Sequence, residues 1–138
     1  MLGKNLRKLP KIELHLHLDC CLSFDVVKKI NPKIDIEAYN KKFKAPSTCS
    51  SVKEYIKCAE YAVDLMQDEK SISLIVEDLF DQLKAENIIY VEIRFAPLLH
   101  CRGELSSKEV VQIVDGICKK CSETVSYTHL TLPTMDSV

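Results

Sequence analysis

The sequence predicts an α/β fold, the N-terminal portion of a TIM-type (β/α)8 barrel. Two stretches, residues 11–18 and 88–95, alternate as strands do, and each combines an aliphatic face with a polar one. Strand, helical insertion, helix, strand, helix is the order of parallel βα units. A complete barrel needs about 250 residues or more. Because the chain has 138 residues, we expect an incomplete barrel made of the first two βα units plus a helical insertion.

Local signals place the elements along the chain. Ser23 is a suitable N-cap for the first helix, which the Asn31-Pro32 pair ends. Residues 33–50 are polar and irregular, so we expect a loop there. Ser106 and Glu109 have the spacing of a capping box at the start of the last helix. The predicted elements are a strand at 11–18, helices at 22–30, 51–66 and 71–86, a strand at 88–95 and a helix at 106–117.

The first strand carries the most informative chemistry. Successive strand side chains point to opposite sides, so we expect a polar face and an aliphatic face. The polar row is Glu13, His15, His17 and Asp19, and the aliphatic row is Ile12, Leu14, Leu16 and Leu18. Two imidazoles two residues apart at the end of a strand converge on one metal ion, which predicts a metal-site strand. The alternative is a strand whose histidines face solvent.

The second strand repeats this division into two faces. Tyr90, Glu92 and Arg94 share one face, and Val91, Ile93 and Phe95 share the other. A Glu and an Arg side by side inside a barrel neutralise one another. We therefore interpret Glu92 and Arg94 as an ion pair that holds the barrel geometry rather than as catalytic residues.

Composition and charge exclude several classes of partner. A net charge of −1 gives no bulk attraction to nucleic acid or to an anionic membrane. We find no apolar run near the roughly 20 residues of a membrane span, and the basic N-terminus lacks the apolar core of a signal peptide. A cytoplasmic protein follows by default. The seven cysteines lack framework spacing, so we expect free thiols, with Cys118 and Cys121 used for packing.

Residues 125–138 differ from the rest of the chain. Residues 125–134 have neither helical nor clean strand periodicity and follow abruptly on a charged helix. They match, in frame, the translation of a transposase-type sequencing adapter, whose continuation also accounts for Val138. We therefore expect residues 1–124 to be the native part of a barrel domain and 125–138 to be translated adapter, so that His129 is no ligand candidate. A genuine flexible tail is the alternative.

Two blocks of sequence are specific enough to point to a family. Residues 9–19 are LPKIELHLHLD, and residues 90–100 are YVEIRFAPLLH. The first block resembles the opening strand of the adenosine deaminase family, and the second resembles that family's second strand and the loop after it. The resemblance extends over residues 4–123. It implies zinc-dependent hydrolytic deamination of adenosine or deoxyadenosine, a step of purine metabolism, with one Zn²⁺ per full-length subunit.

The resemblance also assigns roles to residues. It implies that His15 and His17 bind the metal and that His17 and Asp19 line the pocket for a small-molecule nucleoside. The insertion at residues 43–66 resembles the family's lid. No catalytic residue is assigned within the chain, because the family's general-acid Glu, its water-orienting His and its remaining metal ligands lie beyond it. We therefore expect the chain itself to be inactive.

One position departs from the family pattern, and the function has open alternatives. The family usually has Gly and then a small residue after the strand-one Asp, where this chain has Cys20 and Cys21. If that Gly serves a positive φ or a close approach to ligand, Cys20 strains the turn or crowds the pocket. The alternatives are another metal-dependent amidohydrolase acting on adenine or a modified purine, and a non-catalytic zinc- or nucleoside-binding protein. The oligomeric state stays open.

Overall fold

The computed structural model describes Leu6, residues 8–122 and the backbone of residues 127–131. Three parallel strands form one sheet in the order β1-β2-β3. The strands are β1 Lys11–His17, β2 Ile88–Arg94 and β3 Tyr127–Thr131, and the helices are α1 Phe24–Ile30, α2 Ile36–Phe43, α3 Val52–Leu65, α4 Glu69–Ala85 and α5 Ser107–Ser122. Short 3-10 turns, Leu18–Cys20 and Pro97–His100, follow β1 and β2. The predicted α/β class with parallel βα units is confirmed.

The predicted helix caps are present. The Ser23 hydroxyl accepts a hydrogen bond from the Val26 N–H at 3.2 Å and so caps α1. At the start of α5, the Ser106 N–H donates to the Glu109 carboxylate at 2.8 Å, and the Glu109 N–H donates to the Ser106 hydroxyl at 3.3 Å. This reciprocal pair is the capping box that the spacing predicts.

One prediction of irregular structure is wrong. Helix α2 lies inside the stretch 33–50, where Asp35 caps it by accepting from the Ala38 N–H at 2.7 Å. The polar composition of α2 gives a weak helical pattern in the sequence, because Tyr39 is the one buried residue of this helix. Residues 127–131 form β3, which runs parallel to β2. A strand edge offers backbone hydrogen bonds to any extended segment, so side-chain periodicity is a poor guide there. The origin of residues 125–138 stays a prediction.

The core lies between the sheet and helices α4 and α5. Val91, Ile93 and Phe95 are buried, and the apolar stripe of α4 is buried with them. None of the seven cysteines forms a disulfide, and Cys118 lies inside the core with Cys121 packed against it. Among the described residues, no helix is both long and apolar enough to cross a membrane.

The face assignment predicted for β1 is wrong, because the register between β1 and β2 shifts. Glu13 pairs with Val91 and Leu16 pairs with Ile93, so β1 has one extra residue between these pairs. Such a bulge moves side chains to the other face of the sheet. Glu13 therefore joins Leu16 on the helix side, where both line a small depression against α4. Conversely, Ile12 and Leu14 are 62% and 56% exposed instead of filling a buried face.

A pair of glycines gives a test of the packing around the second turn. The loop after Pro97–His100 is fastened to the end of α3, since the Arg102 N–H donates to the Gln67 side chain at 2.9 Å. A Cβ on Gly103 would lie 2.8 Å from the Gln67 carbonyl oxygen, whereas a Cβ on Gly116 would meet nothing within 4 Å.

We expect Gly103→Ala to lower the free energy of unfolding by about 1–2 kcal/mol, because backbone must move to relieve the overlap. Gly116→Ala, inside α5, should raise it by about 0.5–1 kcal/mol through reduced backbone entropy. Urea unfolding of the two variants measures both changes. Equal effects of the two substitutions would contradict the close approach at Gly103.

Candidate metal centre

His15 and His17 lie side by side at the carboxyl end of β1. Their Nε2 atoms are 3.1 Å apart, and their rings stack with centroids 5.1 Å apart and planes 27° apart. Both side chains are exposed. The spacing predicted that the two imidazoles converge, and the structure brings them together. Their role as ligands stays a prediction.

The geometry of this pair fits a metal ion. Two Nε2–H groups cannot face each other at 3.1 Å, so at least one nitrogen presents a lone pair to the other. Either one ring donates to the other, or both lone pairs meet a cation. Nitrogens about 2.0–2.1 Å from a tetrahedral zinc ion are roughly 3.3 Å apart, close to the observed separation. Within the described part of the chain, no third His, Cys, Asp or Glu completes a metal-binding group.

Asp19 lies in the turn directly after β1 and is 7% exposed. One of its carboxylate oxygens is 3.9 Å from His17 Nδ1 and 3.7 Å from Cys20 Sγ. The Cys20 thiol is a weak donor to this oxygen, so the carboxylate keeps acceptor capacity beside the histidine pair. That is the property expected of a residue that binds a hydroxyl group.

Cys20 and Cys21 fit the turn without a left-handed backbone. Among the described residues other than glycine, Asn87 is the one with positive φ, so Cys20 does not replace a glycine of that kind. Burial, followed by the negative charge of Asp19, raises the pKa of Cys20 to about 12 and that of Cys21 to about 11. Both thiols are therefore protonated near neutral pH.

Side chains from α4 and α2 fasten the segment that follows Asp19. Asp78 accepts hydrogen bonds from the Ser23 N–H at 3.2 Å and from the Ser23 hydroxyl at 2.6 Å. Gln82 donates to the Cys21 carbonyl at 2.8 Å, and the Tyr39 hydroxyl donates to the Leu22 carbonyl at 2.7 Å. Sequence analysis missed these residues, because nothing in a single sequence pairs α4 with this loop.

The polar face of β2 lies next to the histidine pair. Arg94 is paired with His17 in the strand register, and its guanidinium is 3.7 Å from the Glu92 carboxylate. Glu92 also accepts a hydrogen bond from the Tyr90 hydroxyl at 3.0 Å. The ion pair predicted between Glu92 and Arg94 is present.

An open groove runs from the turn after β1 toward the predicted lid. Its volume is about 490 Å³, and its lining includes Cys20, Tyr39, Phe43, Lys44 and Tyr55. Tyr55 belongs to α3, whose first turns also expose Val52 and Ile56. The segment predicted to be a lid, residues 43–66, thus presents apolar side chains beside the groove. Apolar surface in this position is suited to covering a pocket against water.

Sequence analysis also gave no role to His100. Its side chain is 0% exposed, and its Nδ1 atom is 3.1 Å from the Met66 carbonyl oxygen. Burial lowers the pKa of His100, against the opposing effect of the Asp19 charge. The ring is therefore neutral at physiological pH.

Solved structures share this fold. An adenine deaminase from Arthrobacter aurescens superposes with a TM-score of 0.71 at 18% identity, over 89% of this chain and 38% of its own. Arabidopsis ADAL complexed with GMP gives a TM-score of 0.70 at 23% identity, over 94% and 41%. An amidohydrolase from Burkholderia ambifaria with bound Zn gives 0.70 at 14% identity, over 92% and 35%. The chain therefore shares the fold of part of each of these proteins.

Sequence comparisons identify the family. An adenosine deaminase of Clostridium perfringens is 37% identical over 123 residues, which cover 83% of this chain and 37% of the relative. One from Clostridium botulinum is 36% identical over 121 residues, covering 82% and 36%. The chain thus spans little more than a third of the length of these relatives. The family model described as adenosine deaminase matches residues 10–136. The chain belongs to the adenosine deaminase family.

Proposed function

We propose that the full-length protein to which this chain corresponds catalyses the zinc-dependent hydrolytic deamination of adenosine or deoxyadenosine. The observation that carries this proposal is the pair of Nε2 atoms 3.1 Å apart at the end of β1, in a chain that belongs to this family. The active sites of such barrels lie at the carboxyl ends of the strands, which is where this pair is found.

The chain's own residues would hold the metal and orient the substrate. His15 and His17 would hold the zinc ion, which when bound would supply an activated water near neutral pH for attack on the purine carbon. Asp19 would accept a hydrogen bond from a ribose hydroxyl through its carboxylate, whose acceptor capacity the Cys20 thiol uses only in part. The apolar turns of α3 exclude water from the pocket.

We propose that the 138-residue chain does not itself turn over substrate. Hydrolytic deamination needs a proton donor to the purine ring, and the described residues hold two of the expected metal ligands without a third. Glu13 cannot supply the proton, because it lies on the helix side of the sheet.

A cytoplasmic location, expected from the sequence, is part of the same proposal.

The second candidate is deamination of adenine or of a modified purine nucleotide. Structures described as an adenine deaminase and an N6-methyl-AMP deaminase share the fold at 18% identity. The curated adenosine deaminases are 36–37% identical, which favours adenosine.

A hybrid enzyme tests the proposal. In it, residues 8–122 of this chain replace the aligned N-terminal part of the Clostridium perfringens adenosine deaminase. We expect the hybrid to bind zinc and to convert adenosine to inosine, followed by ultraviolet absorbance, with little conversion of adenine or N6-methyl-AMP. A folded, zinc-loaded hybrid that deaminates adenine or N6-methyl-AMP in preference to adenosine would contradict the substrate assignment. A folded hybrid that binds no zinc would contradict the metal assignment.

A further inference from the structure

His100 is a buried imidazole that the proposed chemistry does not use. Its Nδ1 atom faces the Met66 carbonyl oxygen at 3.1 Å. A carbonyl oxygen only accepts hydrogen bonds, so Nδ1 carries the proton and Nε2 presents a lone pair. Nε2 is buried and has no hydrogen-bond partner among the described residues. A buried acceptor without a donor is costly, and such groups are typically satisfied by an ordered water.

Asp19 and His100 lie at the same edge of the sheet. β1 and β2 are parallel, and His17 pairs with Arg94, so the turns that carry Asp19 and His100 follow neighbouring strand ends. Helix α3 packs against both turns. Asp19 is close enough to His100 for its charge to act on the ring. Two buried acceptors therefore lie in one region, where the Cys20 thiol is a weak donor to Asp19 at 3.7 Å and His17 Nδ1 is 3.9 Å from the same oxygen.

We propose that His100 is a positioning residue for Asp19, acting through its Nε2 atom and one bridging water. A water molecule has two hydrogens, so it donates to the imidazole lone pair and to the carboxylate at once. This holds the Asp19 side chain in one orientation beside the histidine pair. The significance for a bound nucleoside rests on the proposed function. The hydrogen-bond arrangement does not, and it is testable in this chain.

Two substitutions separate the nitrogens of His100. His100→Asn keeps a donor near the Nδ1 position, toward Met66, and removes Nε2. His100→Gln keeps a polar group near the Nε2 position and loses the Nδ1 donor. If His100 acts only by fastening Met66, Asn preserves the native state better than Gln. If His100 positions Asp19 through Nε2, His100→Gln preserves the native state better than His100→Asn.

Cys20 reports the orientation of Asp19, because its thiol is 3.7 Å from the Asp19 carboxylate and the carboxylate charge disfavours the reactive thiolate. The measurement is the alkylation rate of Cys20 by iodoacetamide at fixed pH, distinguished from Cys21 by fragmentation mass spectrometry. Asp19→Asn calibrates the full effect. Buried Cys118 serves as the internal control for unfolding.

We expect Asp19→Asn and His100→Asn to accelerate Cys20 alkylation at least about threefold, with Cys118 unchanged, and His100→Gln to match the unsubstituted chain. Accelerated alkylation of Cys20 in the His100→Gln variant, or an unchanged alkylation rate of Cys20 in the His100→Asn variant, would overturn the proposal. If alkylation of Cys118 also accelerates in the His100→Asn variant, that variant has partly unfolded. The Cys20 alkylation rate of the His100→Gln variant then decides alone. A crystal structure then tests the bridge, with water density expected within about 3 Å of Nε2 and Asp19; absence of that density overturns it.

Discussion

Replacing His15 by Ala in the hybrid enzyme is expected to lower both bound zinc and deaminase activity at least about a hundredfold. The Nε2 atoms of His15 and His17 are 3.1 Å apart, so loss of one leaves a single imidazole from β1. Zinc content by atomic absorption and adenosine turnover by ultraviolet absorbance measure the two losses. They should fall together, because the same ligand set holds the metal that supplies the hydroxide.

Glu13→Ala is the matched control for this prediction. Glu13 and His15 are two residues apart on β1, but the bulge places Glu13 on the helix side with Leu16. Its substitution should leave zinc content and turnover within a few-fold of the unsubstituted hybrid. If Glu13→Ala removed zinc as thoroughly as His15→Ala, the strand would follow simple alternation and the bulge would be wrong. If His15→Ala kept its zinc, the metal assignment would fail.

Replacing Asp78 by Ala is expected to lower the free energy of unfolding of the chain by about 2 kcal/mol. Asp78 accepts from the Ser23 N–H, the Ser23 hydroxyl and the Gln82 side chain, at 3.2, 2.6 and 2.8 Å. Ala leaves these donors without their acceptor in a partly buried place. Urea unfolding followed by circular dichroism measures the change.

Asp81→Ala on the same helix is the control, since Asp81 is exposed and its loss should change the free energy of unfolding by no more than about 0.5 kcal/mol. Asp78→Asn, which keeps one acceptor oxygen, should fall between the two Ala variants. Equal stability of Asp78→Ala and Asp81→Ala would show that these hydrogen bonds do not hold the loop after β1.

Sequence alone predicted what depends on local pattern. The strands at 11–18 and 88–95, the buried stripe of α4 and the caps at Ser23 and Ser106 follow from side-chain period and short-range hydrogen bonding, which a single sequence displays. The pairing of His15 with His17 was also accessible, because a two-residue separation brings rings together near a strand end. Family membership came from two blocks whose residue order is specific.

Only the tertiary structure decided which face each side chain of β1 occupies. The register against β2 inserts one residue after Glu13, and a bulge is a property of two paired strands rather than of one. The same holds for Asp78 with Ser23 and for His100 with Met66, which are separated by 55 and 34 residues. The sequence determined the local elements and the chemistry of the first strand. Packing determined the orientation of these side chains, because long-range hydrogen bonds and strand register exist only once distant segments meet.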